Sequence, residues 1–229
     1  AAEARIEAAK DLPAAYLRAV FSSSEAQKWP KRPLVEVGEI VSGITLGRKL
    51  KGAKTRLVPY LRVANVKDAY LDLSNVYKIE ATETEIEKCR LRDGDLLLTE
   101  GGDPDKLGRG TFWEGQIAEC IHQNHIFRVR FELTEISSQF ISAQMASVYG
   151  KRYFLAHAKQ TTGIATINQK VLGGFPLLLP TLTDQRRVTS MLNQQVASAA
   201  RARKAIEEEL ETINKLPAAL LRRAFAGQL

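Results

Sequence analysis

Cysteine, long apolar runs and catalytic motifs are scarce or missing in this sequence. Its two cysteines, Cys89 and Cys120, lie far apart and outside any CxxC pair, which favours a reducing compartment over a disulfide framework. No apolar run approaches the roughly 20 residues that span a bilayer, and the charged N-terminal stretch lacks the apolar core of a signal peptide. We therefore expect a cytoplasmic protein that neither enters a membrane nor is exported.

The common nucleotide-binding and hydrolase signatures are also missing. The sequence contains neither GxGxxG nor GxxxxGK followed by serine or threonine, and it has no GxSxG nucleophile elbow. It also lacks the Asn- or Asp-Pro-Pro-aromatic segment expected of a methyltransferase that acts on base amino groups. These absences predict that the chain is not itself an enzyme.

Two groups of residues could in principle bind a metal. Carboxylates that would suit a Mg²⁺-dependent nuclease surround Gly101-Gly102: Asp93, Asp95, Glu100, Asp103 and Asp105. Glu100 is followed by two glycines instead of the usual water-orienting lysine, and Asp-Gly and Gly-Gly-Asp-Pro sequences form turns. Cys120, His122 and His125 are close in sequence, but a structural zinc site needs four ligands and no second pair is suitably spaced. We expect no resident metal.

The charge that is present is mostly positive. The formal net charge is +7 and the isoelectric point is about 9.4, which indicates a polyanionic partner such as nucleic acid, a membrane surface or an acidic protein. One stretch without acidic residues concentrates this charge: Arg48, Lys49, Lys51, Lys54, Arg56, Arg62 and Lys67. Its glycine and Pro59 predict a basic loop followed by a strand. Such a run is equally typical of a solvated basic surface.

The two ends of the chain repeat each other. The sequence LPAAYLRAVF at 12–21 reappears as LPAALLRRAF at 216–225, and each copy follows an alanine- and glutamate-rich stretch with helical character. The sequence between them is richer in glycine, β-branched residues and aromatics. We predict an N-terminal helix within 1–24, a globular α+β domain at 25–180 and a long helix at 181–229.

The C-terminal helix is predicted to begin near Thr181, which has the spacing of a capping box with Asp184. Its apolar residues are separated by steps of four and three with Arg203 as an interruption, the pattern of a coiled-coil seam: Leu192, Val196, Ala199, Ile206, Leu210, Ile213, Pro217 and Leu220. About 40 helical residues form a rod of roughly 60 Å, which is longer than the domain requires. We expect Pro217 to kink or split the rod. Two ordinary core helices are the alternative.

The central domain is predicted to contain short strands and short helices. Alternating apolar patterns and turn signals place the strands at residues 34–41, 57–66, 95–99, 126–131 and 175–179, and the helices at 81–89 and 136–156.

Five segments in this order resemble the target-recognition domain of type I restriction-modification specificity subunits. They are VPYLRVANV at 58–66, LRDGDLLLTE at 91–100, HQNHIFRVR at 122–130, GIATIN at 163–168 and FPLLLP at 175–180. In that family the last segment leads into a long spacer helix, as it does here. The similarity covers nearly the whole chain.

The resemblance implies that the chain reads half of an interrupted DNA site and positions modification subunits, which hold S-adenosylmethionine and methylate adenine. Restriction subunits would add translocation and cleavage, and the chain itself would need no cofactor. Family members usually carry two recognition domains and only one is found here. Either the chain is a half-subunit that dimerises through its helices, or it is the C-terminal half of a longer protein, as a start at Ala1 without methionine permits. A homodimer would require an interrupted palindrome.

Candidate interface residues follow from these considerations. We expect phosphate contacts from Lys49, Lys51, Lys54, Arg56, Arg62, Lys106 and Arg109 and base contacts from Asn65, Gln123, Asn124 and His125. A core or capping role is the alternative for each of the last four. The seam should pack against the N-terminal helix or a symmetry mate through Leu192, Val196, Ala199, Ile206, Leu210, Ile213 and Leu220.

A function of a different class is also compatible with the sequence. A coiled-coil adaptor could bind a protein through its central domain and never contact DNA. The affinity of such an adaptor would be insensitive to salt, whereas a DNA reader loses affinity with a log-log slope of about 0.9 per phosphate contact.

Overall fold

The predicted α+β architecture is present in the computed structural model, which describes residues 2–50, 52–102, 107–132, 134–161 and 164–227. Along the chain the elements are α1 (Ala2–Phe21), β1 (Lys31–Pro33), β2 (Gly38–Ser42), β3 (Arg56–Leu61), β4 (Tyr77–Ala81), α2 (Glu83–Cys89), β5 (Leu96–Thr99), β6 (Gly101–Gly102), β7 (Gly110–Phe112), β8 (Ile121–His122), β9 (Ile126–Phe131), α3 (Ser138–Ala146), α4 (Val148–His157), β10 (Lys159–Thr161), β11 (Ile164–Thr166), α5 (Gln169–Gly173), β12 (Pro176–Leu178) and α6 (Leu182–Phe225).

The chain divides into two compact units, which are described separately. Residues 1–17 and 190–229 form the helical unit, and residues 18–189 form the globular unit. Of the helices in the described residues, none combines the length and apolar character needed to cross a membrane.

The globular unit is built on short sheets. One sheet has four strands in the order β2-β9-β5-β7, and all neighbouring strands are antiparallel. A second sheet has the order β4-β3-β8, in which β3 is antiparallel to β4 and parallel to β8. β1 pairs with β12, and β6 pairs with β11 of the β10-β11 hairpin.

Strand β3 divides the core because its alternate side chains point to opposite faces. Val58 and Tyr60 pack in one hydrophobic cluster with Ile44, Ala81, Ile86, Cys89 and Ile121. Leu61 packs in a second cluster with Val66, Leu91, Leu97, Trp113, Cys120 and Ile126. The apolar side chains of β3 therefore contribute to both hydrophobic clusters of the globular unit.

Two predicted strands are shorter than expected. The strand expected at 34–41 begins only at Gly38, because Leu34–Glu36 is a 3-10 turn. The strand expected at 57–66 ends at Leu61, and Val63–Asn65 forms another 3-10 turn. This second turn is closed by the side chain of Asn65, whose Oδ1 accepts from the backbone N of Arg62 at 2.9 Å.

The single helix predicted at 136–156 is two helices, α3 and α4, separated at Ser147. The Oγ of Ser147 donates to the carbonyl of Gln144 at 2.6 Å and accepts from the N of Gly150 at 3.4 Å. Ser147 has extended backbone angles and serves as the N-cap of α4. The apolar pattern continues across the break, so periodicity alone does not reveal it.

The predicted cap at the start of α6 is present in part, as an N-cap by the Thr181 side chain. Thr181 Oγ1 accepts from the N of Asp184 at 3.2 Å and donates to its Oδ2 at 2.8 Å. α6 then continues for 44 residues, and its helical assignment extends through Pro217 without the expected interruption.

In the helical unit, α1 covers part of the predicted seam. Arg5 Nη1 lies 3.6 Å from Glu209 Oε2, and Ala9 of α1 is buried, as are Ala199 and Ile206 of α6. Leu192 and Leu210 are half-buried, whereas Val196 and Ile213 are exposed. The side chain of Leu220 is outside the described residues. The N-terminal helix thus accounts for the middle of the seam and leaves apolar side chains uncovered.

Candidate nucleic-acid interface

The predicted basic loop starts beside the predicted base-reading turn. The N of Ile44 donates to the carbonyl of His122 at 2.9 Å, and the N of Asn124 donates to the carbonyl of Ile44 at 3.1 Å. Gly43 is required at this crossing, because a Cβ there would lie 1.9 Å from the His122 carbonyl oxygen. The loop that follows Ile44 and the turn at 122–125 therefore start from adjacent points of the domain.

Two further segments meet the same turn. The N of Glu100 donates to the carbonyl of His125 at 2.9 Å, and the N of Ile167 donates to the carbonyl of Glu100 at 2.8 Å. The N of Thr99 donates to the carbonyl of Arg109 at 3.0 Å, which brings both sides of the glycine-rich loop to this point. Backbone hydrogen bonds thus bring together the segments 44–50, 52–56, 99–102, 107–110, 122–125 and 164–168, which we call the loop surface.

Two lysines of the basic loop are exposed to solvent. Lys49 and Lys54 are both exposed, and long flexible ammonium groups are suited to phosphate contacts. Lys51 and Lys106 lie outside the described residues, so their predicted roles stay predictions. Arg109 is half-buried on the glycine-rich loop.

Two arginines of the basic segment are bound by carboxylates of the domain. Arg48 binds Glu85, and this hydrogen bond lowers the pKa of Glu85 to about 2 and raises that of Arg48. Arg56 binds Glu119 and Glu83, and these hydrogen bonds raise its pKa. The positive charge of these two arginines is largely compensated by glutamates. The number of basic residues in the segment therefore overstates the positive charge that it can offer to DNA.

Arg62 and Asn65, both predicted interface residues, make intramolecular contacts. The guanidinium of Arg62 lies 3.3 Å from the ring centroid of Tyr77, a cation–π contact. Asn65 is buried, and its Nδ2 donates to the carbonyls of Asp72 at 2.8 Å and Asn75 at 3.0 Å. The contacts of Asn65 are those of a core or capping residue, which is the alternative to base contact that the sequence left open.

The other predicted base-reading residues are in the 122–125 turn. Gln123 Oε1 accepts from the N of Val63 at 3.1 Å and so links the turn to the 3-10 segment. His125 is exposed, and its Nδ1 lies 2.6 Å from Glu100 Oε2, while Asn124 Nδ2 lies 3.3 Å from its Nε2. The sequence singled out Glu100 only as a metal ligand, because its contact with His125 joins residues 25 apart in the chain.

A cavity of about 490 Å³ adjoins this pair. Its walls are Val63, Gly101-Gly102, Ile164 and Thr166, with Glu100 and His125 beside them. Gly101 allows β6 to approach β11 closely, because a Cβ there would lie 2.9 Å from the carbonyl oxygen of Ala165. The surface thus offers polar side chains beside an apolar recess.

The possible metal-binding groups are dispersed. Asp95 is buried and ion-paired with Arg130, and Asp103 and Asp105 lie outside the described residues. Burial raises the pKa of Cys120 to about 12 and lowers that of His122 to about 4. Within the part of the chain that the structure describes, no three His, Cys, Asp or Glu side chains are grouped as metal ligands.

Comparison with known proteins gives consistent results. The chain is 28% identical over 182 residues to the type I restriction enzyme StySPI specificity subunit of Salmonella potsdam, which covers 79% of this chain and 39% of that subunit. It is 27% identical over 176 residues to the EcoKI specificity subunit of Escherichia coli K12, with 75% and 37% covered. No protein-family model matches the chain.

Solved structures share the fold. The HsdS subunit of Thermoanaerobacter tengcongensis has a TM-score of 0.62 at 19% identity and aligns with 100% of this chain and 54% of its own. A chain from a structure of a type I restriction-modification system has a TM-score of 0.68 at 19% identity, with 99% and 55% covered.

The fold is that of a type I restriction-modification specificity subunit. The chain is similar in sequence to curated specificity subunits of type I restriction enzymes, as the resemblance of its motifs predicts, and it spans about two fifths of their length. This share fits a form with a single recognition domain.

Proposed function

We propose that this chain is the non-catalytic, sequence-specific DNA-binding subunit of a cytoplasmic type I restriction-modification system. It reads one half of an interrupted site in double-stranded DNA. It positions modification subunits and restriction subunits. The modification subunits hold S-adenosylmethionine and methylate adenine. Two similar proteins are named as specificity subunits of type I restriction enzymes, which supports this assignment.

The observation that carries the proposal is the composition of the loop surface. It combines exposed Lys49 and Lys54 with the polar turn of Gln123, Asn124 and His125. Phosphate contacts orient a protein on DNA and polar side chains read base edges, so both kinds of contact are available on one surface.

The uncovered seam residues support a homodimer. Val196 and Ile213 are about half exposed, at 47% and 49%, and so is Leu216, which lies outside the predicted seam on the same helix, at 51%. Apolar side chains left uncovered on a helix are typical of a surface that packs against another chain. Two identical chains related by a two-fold axis would read identical half-sites, so the target would be an interrupted palindrome. A bound site with unrelated halves would contradict the homodimer.

Selection from a library of random DNA duplexes tests the function directly. The full chain, with its modification subunits, should enrich one interrupted sequence, and its affinity should fall steeply as salt rises, because bound counterions are released. The double variant Lys49→Ala/Lys54→Ala should bind every sequence more weakly and show a salt slope smaller by about 1.8.

The matched control is Lys28→Ala, which removes an exposed lysine from the segment before β1 and should leave the slope unchanged. If the complex binds and enriches no DNA duplex, the proposed function is contradicted and the protein adaptor, which does not contact DNA, is favoured.

A further inference from the structure

His125 connects Glu100 and Asn124 in a hydrogen-bonded chain with a defined direction. An ionised carboxylate can only accept, so the 2.6 Å contact to Glu100 Oε2 places the proton on His125 Nδ1. The other ring nitrogen, Nε2, faces Asn124 Nδ2, 3.3 Å away. Both nitrogens of the imidazole are occupied, and the ring serves to orient its two neighbours.

Two acceptor oxygens of these three side chains take no part in the hydrogen bonds just described. They are Oε1 of Glu100 and Oδ1 of Asn124, and neither forms a hydrogen bond with any residue that the structure describes. Their backbones are fixed, because the N of Glu100 donates to the His125 carbonyl at 2.9 Å and the N of Asn124 donates to the Ile44 carbonyl at 3.1 Å. Glu100 therefore presents, beside the cavity, a carboxylate oxygen that no residue within the described ranges binds.

We infer that Glu100, held by His125, binds the exocyclic amino group of a DNA base, which is N6 of adenine or N4 of cytosine. In the major groove these amino groups are donors, whereas guanine and thymine present acceptors at the equivalent positions. If guanine or thymine were at this position, its O6 or O4 would face the carboxylate oxygen. Both atoms are acceptors, so neither would have a hydrogen-bond partner. The inference rests on the proposed function and adds a specificity-determining residue to it.

The surroundings of Glu100 strengthen this discrimination. The cavity is walled by Val63, Ile164 and the β6 glycines, and the Glu100 side chain is only 32% exposed. A mismatched base would displace water from the carboxylate without replacing its hydrogen bond, which makes the mismatch costly. The exposed Lys49 and Lys54 of the basic loop supply positive charge that offsets the repulsion between the domain's carboxylates and the DNA phosphates.

The test is a cycle of protein variants and base analogues on the selected duplex. Each adenine of the half-site is replaced by the purine nucleotide and each cytosine by the 2-pyrimidinone nucleotide, because both analogues lack the amino group. At one position the analogue should weaken binding of the original protein about tenfold. The same analogue should not weaken binding of Glu100→Ala, since the partner of the amino group is already missing.

A second variant keeps the contact with His125. In Glu100→Gln the amide oxygen accepts from His125 Nδ1, so the NH₂ group faces the base and donates. A new selection should then exchange adenine or cytosine for guanine or thymine at that one position and leave the others unchanged. Glu80→Gln, an exposed glutamate on β4, is the control and should select the original sequence.

The outcomes separate this inference from the proposed function. If Glu100→Ala responds to every analogue as the original protein does, and Glu100→Gln selects the original sequence, Glu100 has only a structural role and the inference is wrong while the function stands. If an inosine substitution for guanine alone shows the coupling, the contact is in the minor groove and the inference is also overturned. If no sequence is selected at all, both fail.

Discussion

Arg130 on β9 and Asp95 just before β5 form a two-point ion pair inside the globular unit. Nε of Arg130 donates to Oδ1 at 2.8 Å and Nη2 to Oδ2 at 2.7 Å, although Asp95 is only 1% exposed. Asp95 Oδ2 also accepts from the N of Arg92 at 2.7 Å, and Arg128 Nη1 lies 4.0 Å from Oδ1. A carboxylate that the sequence offered as a metal ligand therefore compensates the half-buried guanidinium of Arg130 and lies near the buried one of Arg128.

Replacing this carboxylate should destabilise the domain. Asp95→Asn is expected to lower the free energy of unfolding by about 3 kcal/mol, because it removes the carboxylate that pairs with Arg130 and leaves only Glu39 to compensate the buried charge of Arg128. Equilibrium unfolding in urea measures the change. The control Asp93→Asn, two residues away and exposed, should change the value by less than about 0.5 kcal/mol. Equal effects of the two variants would show that the ion pair is unimportant for stability.

Local sequence signals suffice for part of the fold. The start of α6 follows from Thr181 and Asp184, because an N-cap side chain accepts from a backbone N three positions along the chain. The strand at 126–131 is confirmed in full, because its alternating pattern matches the two faces of a sheet.

Contacts between distant residues cannot be predicted in the same way. Arg56 belongs to the basic stretch by sequence, yet it binds Glu119, 63 residues further along the chain. Glu100 and His125 meet only because β5 and β9 pair in the sheet. The sequence indicates which side chains are available, and the strand pairing decides which of them remain free for a ligand.

Lysine and arginine of the basic segment should differ in their contribution to DNA affinity. Lys54→Ala is expected to reduce the log-log salt slope by about 0.9, the value for one phosphate contact. Arg56→Ala should reduce it by clearly less, because Glu83 and Glu119 already bind its guanidinium. Fluorescence anisotropy with one duplex at several salt concentrations compares the two variants. A larger reduction for Arg56→Ala would mean that DNA displaces the glutamates.

The buried imidazole of His122 should make the domain sensitive to acid. Burial lowers its pKa from 6.5 to about 4, so the unfolded state binds more protons than the folded state between these values. The free energy of unfolding should therefore fall as the pH drops through this window, by about 3 kcal/mol for this residue in full. Unfolding in urea at pH 7 and pH 4 measures the loss.

Other groups also titrate in this range, so the contribution of His122 is obtained by difference. His122→Gln should lose about 3 kcal/mol less than the original protein between the two pH values, since it has no imidazole to protonate. His157→Gln, at an exposed position at the end of α4, should lose as much as the original. If His122→Gln has the same pH dependence as the original protein, then His122 is accessible to protons in the folded state.

The exposed and buried members of the seam should respond differently to a charge. Ile213 is 49% exposed and Ile206 only 6%. If the uncovered side chains form the proposed homodimer, Ile213→Glu should reduce the mass measured by light scattering from about twice 25.4 kDa to 25.4 kDa and leave thermal unfolding of the monomer unchanged. Ile206→Glu should lower the melting temperature, because it buries a charge against α1. A dimer that persists in Ile213→Glu would show that its interface lies elsewhere.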